Sequence, residues 1–151
     1  MQPIKFTARA LRRIALTACL DKTRPHLCAL RFCPSDVLAT DGTILVRVPL
    51  PHDPERDFVL PSVPTVEALR TLRRDVTVTL TRCAGETRLS APLGYDFAIS
   101  DDADISVDRY PSVEVVIDAT QEVGTVADAH LSARMWIRVG KLARDLISVG
   151  D

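Results

Sequence analysis

Residues 4–20 read IKFTARALRRIALTACL, and this stretch decides the fold. Residues 4–6 suit a short strand, and Thr7 stands where a hydroxyl caps a helix. Over residues 7–20 the apolar side chains Leu11, Ile14, Ala15 and Ala18 recur at i, i+3, i+4 and i+7. That is the stripe of a helix with one face buried. Strand-like runs follow at 27–32, 37–39 and 43–48, until Pro49, Pro51 and Pro54 break the pattern. Residues 52–57 read as an exposed loop.

The order then restarts with FVLPSVPTVEALRTLRR at residues 58–74. Here 58–60 is a strand and 64–74 a helix, with Val66, Leu69 and Leu72 on its inner side. Three more strands fit at 76–81, 87–91 and 95–100. A strand-helix-three-strand unit therefore occurs twice, at an offset of roughly 53 residues. The pattern predicts an α+β domain with two helices packed on antiparallel sheet. An acidic connection follows, and then a third start: an extended stretch at 131–139, Gly140 as a cap, and a helix at 141–149 with Leu142, Leu146 and Val149 in register. The expected division is one complete domain at 1–118, an acidic connector at 119–130 and an incomplete following unit at 131–151. Such a tail, with Trp136 and Ile137 seeking a core, predicts self-association or a truncated domain.

Apolar residues make up 46% of the chain, yet no run approaches the roughly 20 needed to span a bilayer. The N-terminus lacks the charged-then-apolar order of a secretory signal, so a cytoplasmic home without membrane contact is the expectation. Cys19, Cys28, Cys33 and Cys83 then read as reduced thiols used as small hydrophobes. His26, Cys28 and Cys33 lack the paired arms of a zinc site, and on a strand His26 and Cys28 would face away from Cys33. Net charge is −1, so the distribution is more telling than the total. Residues 1–31 carry seven Lys/Arg against Asp21, whereas residues 95–128 carry nine Asp/Glu against Arg109. The chain has a positive and a negative region.

Several short stretches, whose spacing and order along the chain agree with it, resemble the middle domain of the bacterial DNA sliding clamp, the beta subunit of DNA polymerase III. Leu38-Ala39-Thr40-Asp41-Gly42 followed by Leu45 resembles that family's A-T-D-G-H-R-L run. Asp21-Lys22-Thr23-Arg24-Pro25 with Leu27 is similar to the loop after its first helix. Val59-Leu60-Pro61 is similar to its landmark before the second helix, and Arg109-Tyr110-Pro111 with Val115-Val116-Ile117 to its G-R-F-P-x-Y run. The resemblance covers about residues 4–118, and 136–151 looks like the opening of the next clamp domain. Two departures stand out: Thr43-Ile44 replaces His-Arg, and Asp118 stands where the family often has proline. Clamp chains of this family also have three domains, and two chains close a six-domain ring.

The resemblance implies a non-enzymatic replication processivity factor, without metal or cofactor, that holds duplex DNA and docks polymerase and clamp-loader peptides. Its helices would present positive charge to phosphate without gripping bases. On the first helix Arg9 and Arg13 project opposite the apolar stripe with Arg12 on the flank; on the second, Arg70 and Arg74 share a face, with Arg73 at its boundary. Lys22, Arg24 and His26 of the following loop would also meet the backbone. Leu16 and Leu20 fall near the same outward face as Arg13 and need cover. One Trp, two Tyr and four Phe leave little for stacking on single-stranded bases. The peptide groove would use Thr40, Gly42, Leu45, Pro111 and Val116, with Thr43 and Val115 as divergent lining. A plainer reading makes Leu45 and Val116 core.

Two rival readings remain. Asp101, Asp102, Asp104 and Asp108 form the carboxylate cluster that a metal-dependent nuclease would need, or else a solvated acidic loop. The six glycines are scattered and make no phosphate-cradling loop. A clamp-fold adaptor or decoy, binding replication proteins without encircling DNA, would share every feature above except ring closure.

Overall fold

The structure, a computed structural model, describes residues 1–18, 21–112, 141 and 144–145. Among the described residues up to 112, eight strands and two α-helices make two units in series. The first contains β1 (Ile4–Thr7), α1 (Ala8–Thr17), β2 (Ala29–Phe32), β3 (Asp36–Thr40) and β4 (Leu45–Pro49). The second contains β5 (Phe58–Pro61), α2 (Ser62–Leu69), β6 (Thr77–Cys83), β7 (Glu86–Ala91) and β8 (Tyr95–Ser100). The expected α+β architecture is present, and so is the duplication.

The two units exchange their first strands. One antiparallel sheet runs β1-β6-β7-β8 and the other β4-β3-β2-β5. Ile4 stands opposite Leu80 and Thr7 opposite Thr77, while Phe58 stands opposite Phe32 and Pro61 opposite Ala29. Neither unit can therefore complete its sheet alone. The helix starts obey the same relation: the Ala8 amide donates to the Val76 carbonyl at 2.8 Å, and the Ser62 amide to the Cys28 carbonyl at 2.9 Å. Each helix begins where the loop after the other helix ends, which is the arrangement of an antiparallel pair.

One core joins both sheets and both helices. Leu11, Ile14, Ala15 and Ala18 are all buried in it, as the stripe requires, beside Leu30, Leu60, Leu69, Leu80 and Leu89. Phe32 stacks on Phe58 with centroids 4.6 Å apart and meets Phe6 edge-on at 6.4 Å, so three rings bridge the two sheets. Pairs of this kind add about 0.5–1.5 kcal/mol each beyond their buried area. Thr7 caps α1 by accepting from the Ala10 amide at 3.1 Å.

Three expectations are corrected. The second helix begins earlier and ends earlier than 64–74: Pro64 sits in its first turn, where the missing N–H costs nothing. After Leu69 the chain tightens, with Arg70 donating to Glu67 and Leu72 to Leu69, so that it turns in time to place Val76 against α1. The buried side is consequently Ser62, Thr65, Ala68 and Leu69, with Val66 and Leu72 only partly covered. Next, His26 lies in a 3-10 turn, Pro25–Leu27, and the strand starts only at Ala29. Finally, the loop at 52–57 is not wholly exposed. Asp53 and Arg56 are buried, because Asp53 accepts the Gln2 amide at 2.7 Å and the Glu55 amide at 3.1 Å.

The domain boundary near 118, the connector at 119–130 and most of 131–151, Trp136 and Ile137 included, lie outside the described residues. Among the described residues no helix is long and apolar enough to cross a membrane.

Candidate functional site

The antiparallel helix pair gathers the basic residues into two groups. At one end, the Arg9 amide donates to the Arg74 carbonyl at 3.1 Å, which joins the first turn of α1 to the loop after α2. Arg70, Arg73 and Arg74 are all exposed there, on the helix cap and the turn beyond it rather than on one helical face. At the other end, Lys22, Arg24 and His26 are exposed on the loop between α1 and β2, which abuts the start of α2. The length of α1 separates the two groups by about 15 Å. Between them Arg12 is exposed, while Arg9, Arg13 and Leu16 are half-buried. Leu20 is outside the described residues.

Local chemistry holds the second group in place. Asp21 accepts from both the amide and the hydroxyl of Thr23, at 2.9 and 2.7 Å, and the Cys28 thiol reaches the Asp21 carbonyl at 3.2 Å. The Thr23 hydroxyl holds the Asp21 carboxyl below the usual range. Sequence reading missed the partner of Arg13. Its Nε donates to Asp145 at 2.5 Å, and Asp145 is buried although it lies 132 residues away. Burial pushes the Asp145 carboxyl up, but the hydrogen bonds and charges of Arg13 and Arg144 outweigh it and leave it lowered.

The residues of the docking reading lie around one turn. Thr40 is buried and its hydroxyl accepts the Gly42 amide at 3.0 Å; Asp41 accepts the Thr43 and Ile44 amides at 2.8 and 2.9 Å. Gly42 has φ +90°, and a Cβ added there would lie 3.8 Å from Arg24 and Leu27, so the turn sits beside the basic loop. Thr43 is exposed. Leu45 packs beside a small second core of Ala29, Leu38, Ile105 and Tyr110 on the outer face of the β2-β3-β5 sheet. Half-buried Pro111 follows Tyr110 directly. Val115 and Val116 lie outside the described residues. Burial pushes the Tyr110 hydroxyl well above its ordinary range.

No family model and no curated protein matches this chain. Solved structures do. The DNA polymerase III beta subunit of Borrelia burgdorferi superposes with a TM-score of 0.59 at 14% identity, over 77% of this chain and 32% of that one. The beta subunit from Pseudomonas aeruginosa gives 0.56 at 16% identity, over 74% and 31%. A DNA polymerase sliding clamp from the same organism gives 0.53 at 18% identity, over 74% and 32%. This chain has a sliding-clamp fold. It spans about a third of the length of the solved clamps it matches.

On this clamp fold the quoted landmarks fall at structural corners. Asp21 to Leu27 forms the loop after α1, Leu38 to Gly42 forms β3 and its turn, and Val59 to Pro61 forms β5. Arg109 to Pro111 ends the strap that leaves β8. That strap also carries the acidic cluster. Arg82 grips Asp101 through both terminal guanidinium nitrogens, with its guanidinium carbon 5.1 Å from the Phe58 ring centroid. Asp102 accepts the Asp104 amide at 2.9 Å, and Asp108 sits in a separate 3-10 turn, Val107–Arg109. Asp101, Asp102 and Asp104 line a cleft of about 610 Å³ opposite Lys22, Pro25 and Cys28.

Proposed function

We propose that this chain is a clamp module of DNA replication, non-enzymatic and without cofactor, which holds duplex DNA independently of sequence. The observation that carries the reading is the sliding-clamp fold with its antiparallel helix pair bracketed by cations. Arg9, Arg12, Arg13, Arg70, Arg73 and Arg74, with Lys22, Arg24 and His26, would contact phosphate. Contacts to phosphate position a duplex and carry no sequence information, which is why the reading is sequence-independent. Around the Gly42 turn, Thr40, Thr43, Leu45 and Pro111 would form one wall of a groove for polymerase and clamp-loader peptides, completed by Val115 and Val116. A chain spanning about a third of a clamp implies further domains or further copies, and light scattering over a concentration series distinguishes them.

The test is duplex binding measured across salt concentrations with two unrelated sequences. The reading expects equal affinities, a steep salt dependence, and weaker binding after Arg12→Glu, Arg70→Glu or Arg74→Glu. If those reversals leave binding unchanged, the adaptor reading prevails; its support is the pairing of Arg13 with Asp145 and the Thr43-Ile44 departure. The nuclease reading is weaker, because Asp101 is already committed to Arg82. It would require Mg²⁺-dependent cleavage that disappears in Asp101→Asn and Asp102→Asn.

A further inference from the structure

We infer that the cleft between the acidic strap after β8 and the start of α2 docks an extended peptide of a partner protein, with an aliphatic side chain inside it and a flanking Lys or Arg against the strap. The inference stands apart from the DNA reading and from the Gly42 turn, whose residues do not line this cleft. A volume of about 610 Å³ falls within the range of ligand clefts, roughly 300–1,000 Å³. Pro25, Pro61, Val63, Pro64 and Ile105 give it an apolar lining. Three of these are prolines, whose rings fix φ, and the Ser62 amide ties the start of α2 to the Cys28 carbonyl at 2.9 Å. Such a lining is formed before any ligand arrives, which lowers the ordering cost of binding. A second hollow of about 290 Å³ shares Asp101, Asp102, Ala103 and Ile105 with the cleft and borders Asp57, Phe58 and Val59. Together the two follow β5 from Pro61 back to Asp57, a path that suits an extended chain better than a compact molecule.

The strap supplies the charge. It is anchored at both ends: the Asp101 amide donates to the Gly85 carbonyl at 3.0 Å, Arg82 holds the Asp101 carboxylate, and Ile105 is buried in the second core. Asp102 and Asp104 are exposed between these anchors, and among the described residues neither carboxylate has a cation partner. One Asp102 oxygen accepts the Asp104 amide at 2.9 Å, which leaves its other oxygen and the Asp104 carboxylate for a ligand. Lys22 on the opposite wall likewise has no carboxylate partner among the described residues, so no ion pair shuts the cleft. Two uncompensated carboxylates against one ammonium leave the cleft acidic, and a Lys or Arg beside the inserted side chain complements it. Among the described residues no three His, Cys, Asp or Glu side chains converge as metal ligands, so the acidic wall suits a side-chain cation better than a metal ion.

The experiment titrates the whole 151-residue chain, isotope-labelled, with capped peptides that place a leucine between two arginines, and reads the backbone amide shifts. Saturable shifts are expected at Ser62, Val63 and residues 102–105, with binding that weakens as salt is added. A peptide with serine in place of the leucine, or with glutamate in place of both arginines, should bind several-fold more weakly. Asp102→Asn combined with Asp104→Asn should weaken the arginine-flanked peptide several-fold at an unchanged melting temperature, because Asn at 102 keeps an acceptor for the amide of residue 104. Equal binding of the serine peptide overturns the apolar lining, and equal binding of the glutamate peptide overturns the role of the strap. Shifts that survive the double variant, that spread over other acidic residues without saturating, or that never appear overturn the proposal outright. Shifts at these residues that grow with protein concentration before any peptide is added assign the cleft to a second copy and overturn the peptide reading.

Discussion

The backbone amide of Arg9 donates to the carbonyl of Arg74, and together with the Ala8-to-Val76 bond beside it this joins the start of α1 to the turn after α2. Two basic stretches far apart in the chain thereby share one end of the helix pair. The bond uses backbone atoms only, so the side chains can be altered without undoing the fold.

Arg74→Ala is accordingly expected to change stability by no more than about 0.5 kcal/mol, the range of exposed substitutions. It should lower duplex affinity and reduce the salt slope by about 0.9 if Arg74 makes one phosphate contact. Urea denaturation and a binding series on the same preparation check both halves. A large stability loss would mean that the side chain, and not the backbone bond, holds the turn.

Tyr110 anchors the small second core through its ring rather than its hydroxyl. The ring is buried against Ala29, Leu38 and Ile105, whereas the hydroxyl lies 3.5 Å from the Leu38 carbonyl, at the limit of a useful hydrogen bond. Tyr110→Phe should cost less than about 1 kcal/mol, and Tyr110→Ala about 3–5 kcal/mol. Equal losses in the two variants, by chemical denaturation, would make the hydroxyl the anchor instead.

The duplication and the buried stripe of α1 were legible because helix and strand periods are local properties of the chain. Leu11, Ile14, Ala15 and Ala18 needed no tertiary knowledge to be placed inside. The exchange of β1 and β5 between units was not legible, since nothing in residues 4–7 or 58–61 states which strand they will pair with. The same limit explains Asp53 and Arg56. Proline and charge at 49–57 read as solvent exposure, but the Gln2 amide that donates to Asp53 comes from the other end of the unit. The outward arginines of α1 were found by helical spacing, while the carboxylate facing Arg13 lay beyond any periodic signal.

Gly42 tests whether the turn beside the basic loop depends on conformation or on space. At φ +90° an L-residue is strained, yet an added Cβ would meet Arg24 and Leu27 only at 3.8 Å, an ordinary contact. Gly42→Ala should therefore cost about 1–2 kcal/mol from backbone strain alone. Gly42→Asn should cost less, because Asn tolerates positive φ better. A fall in melting temperature that is larger for Asn than for Ala would point to crowding instead.

The tether at the chain start predicts a stability plateau bounded on both sides. The Gln2 amide is the main cause holding the Asp53 carboxyl below its ordinary value of 3.8, with the Glu55 amide and nearby cations adding to it against burial. That contribution is complete above pH 3.8 and is lost as pH falls through the depressed value. The α-amino group of Met1 behaves oppositely. Its hydrogen bond to Glu55, 2.7 Å long, raises it above 8.0, so its contribution is complete below that pH and fades as pH rises through the raised value. Melting temperature followed from acid to alkaline pH should show both limbs. Glu55→Gln should flatten the alkaline limb and leave the acid one. Asp53→Asn should lower the plateau and make the acid limb shallower without abolishing it, since Asp21 and Asp145 are also depressed. Parallel profiles in all three proteins would show that neither group is tethered as the geometry implies.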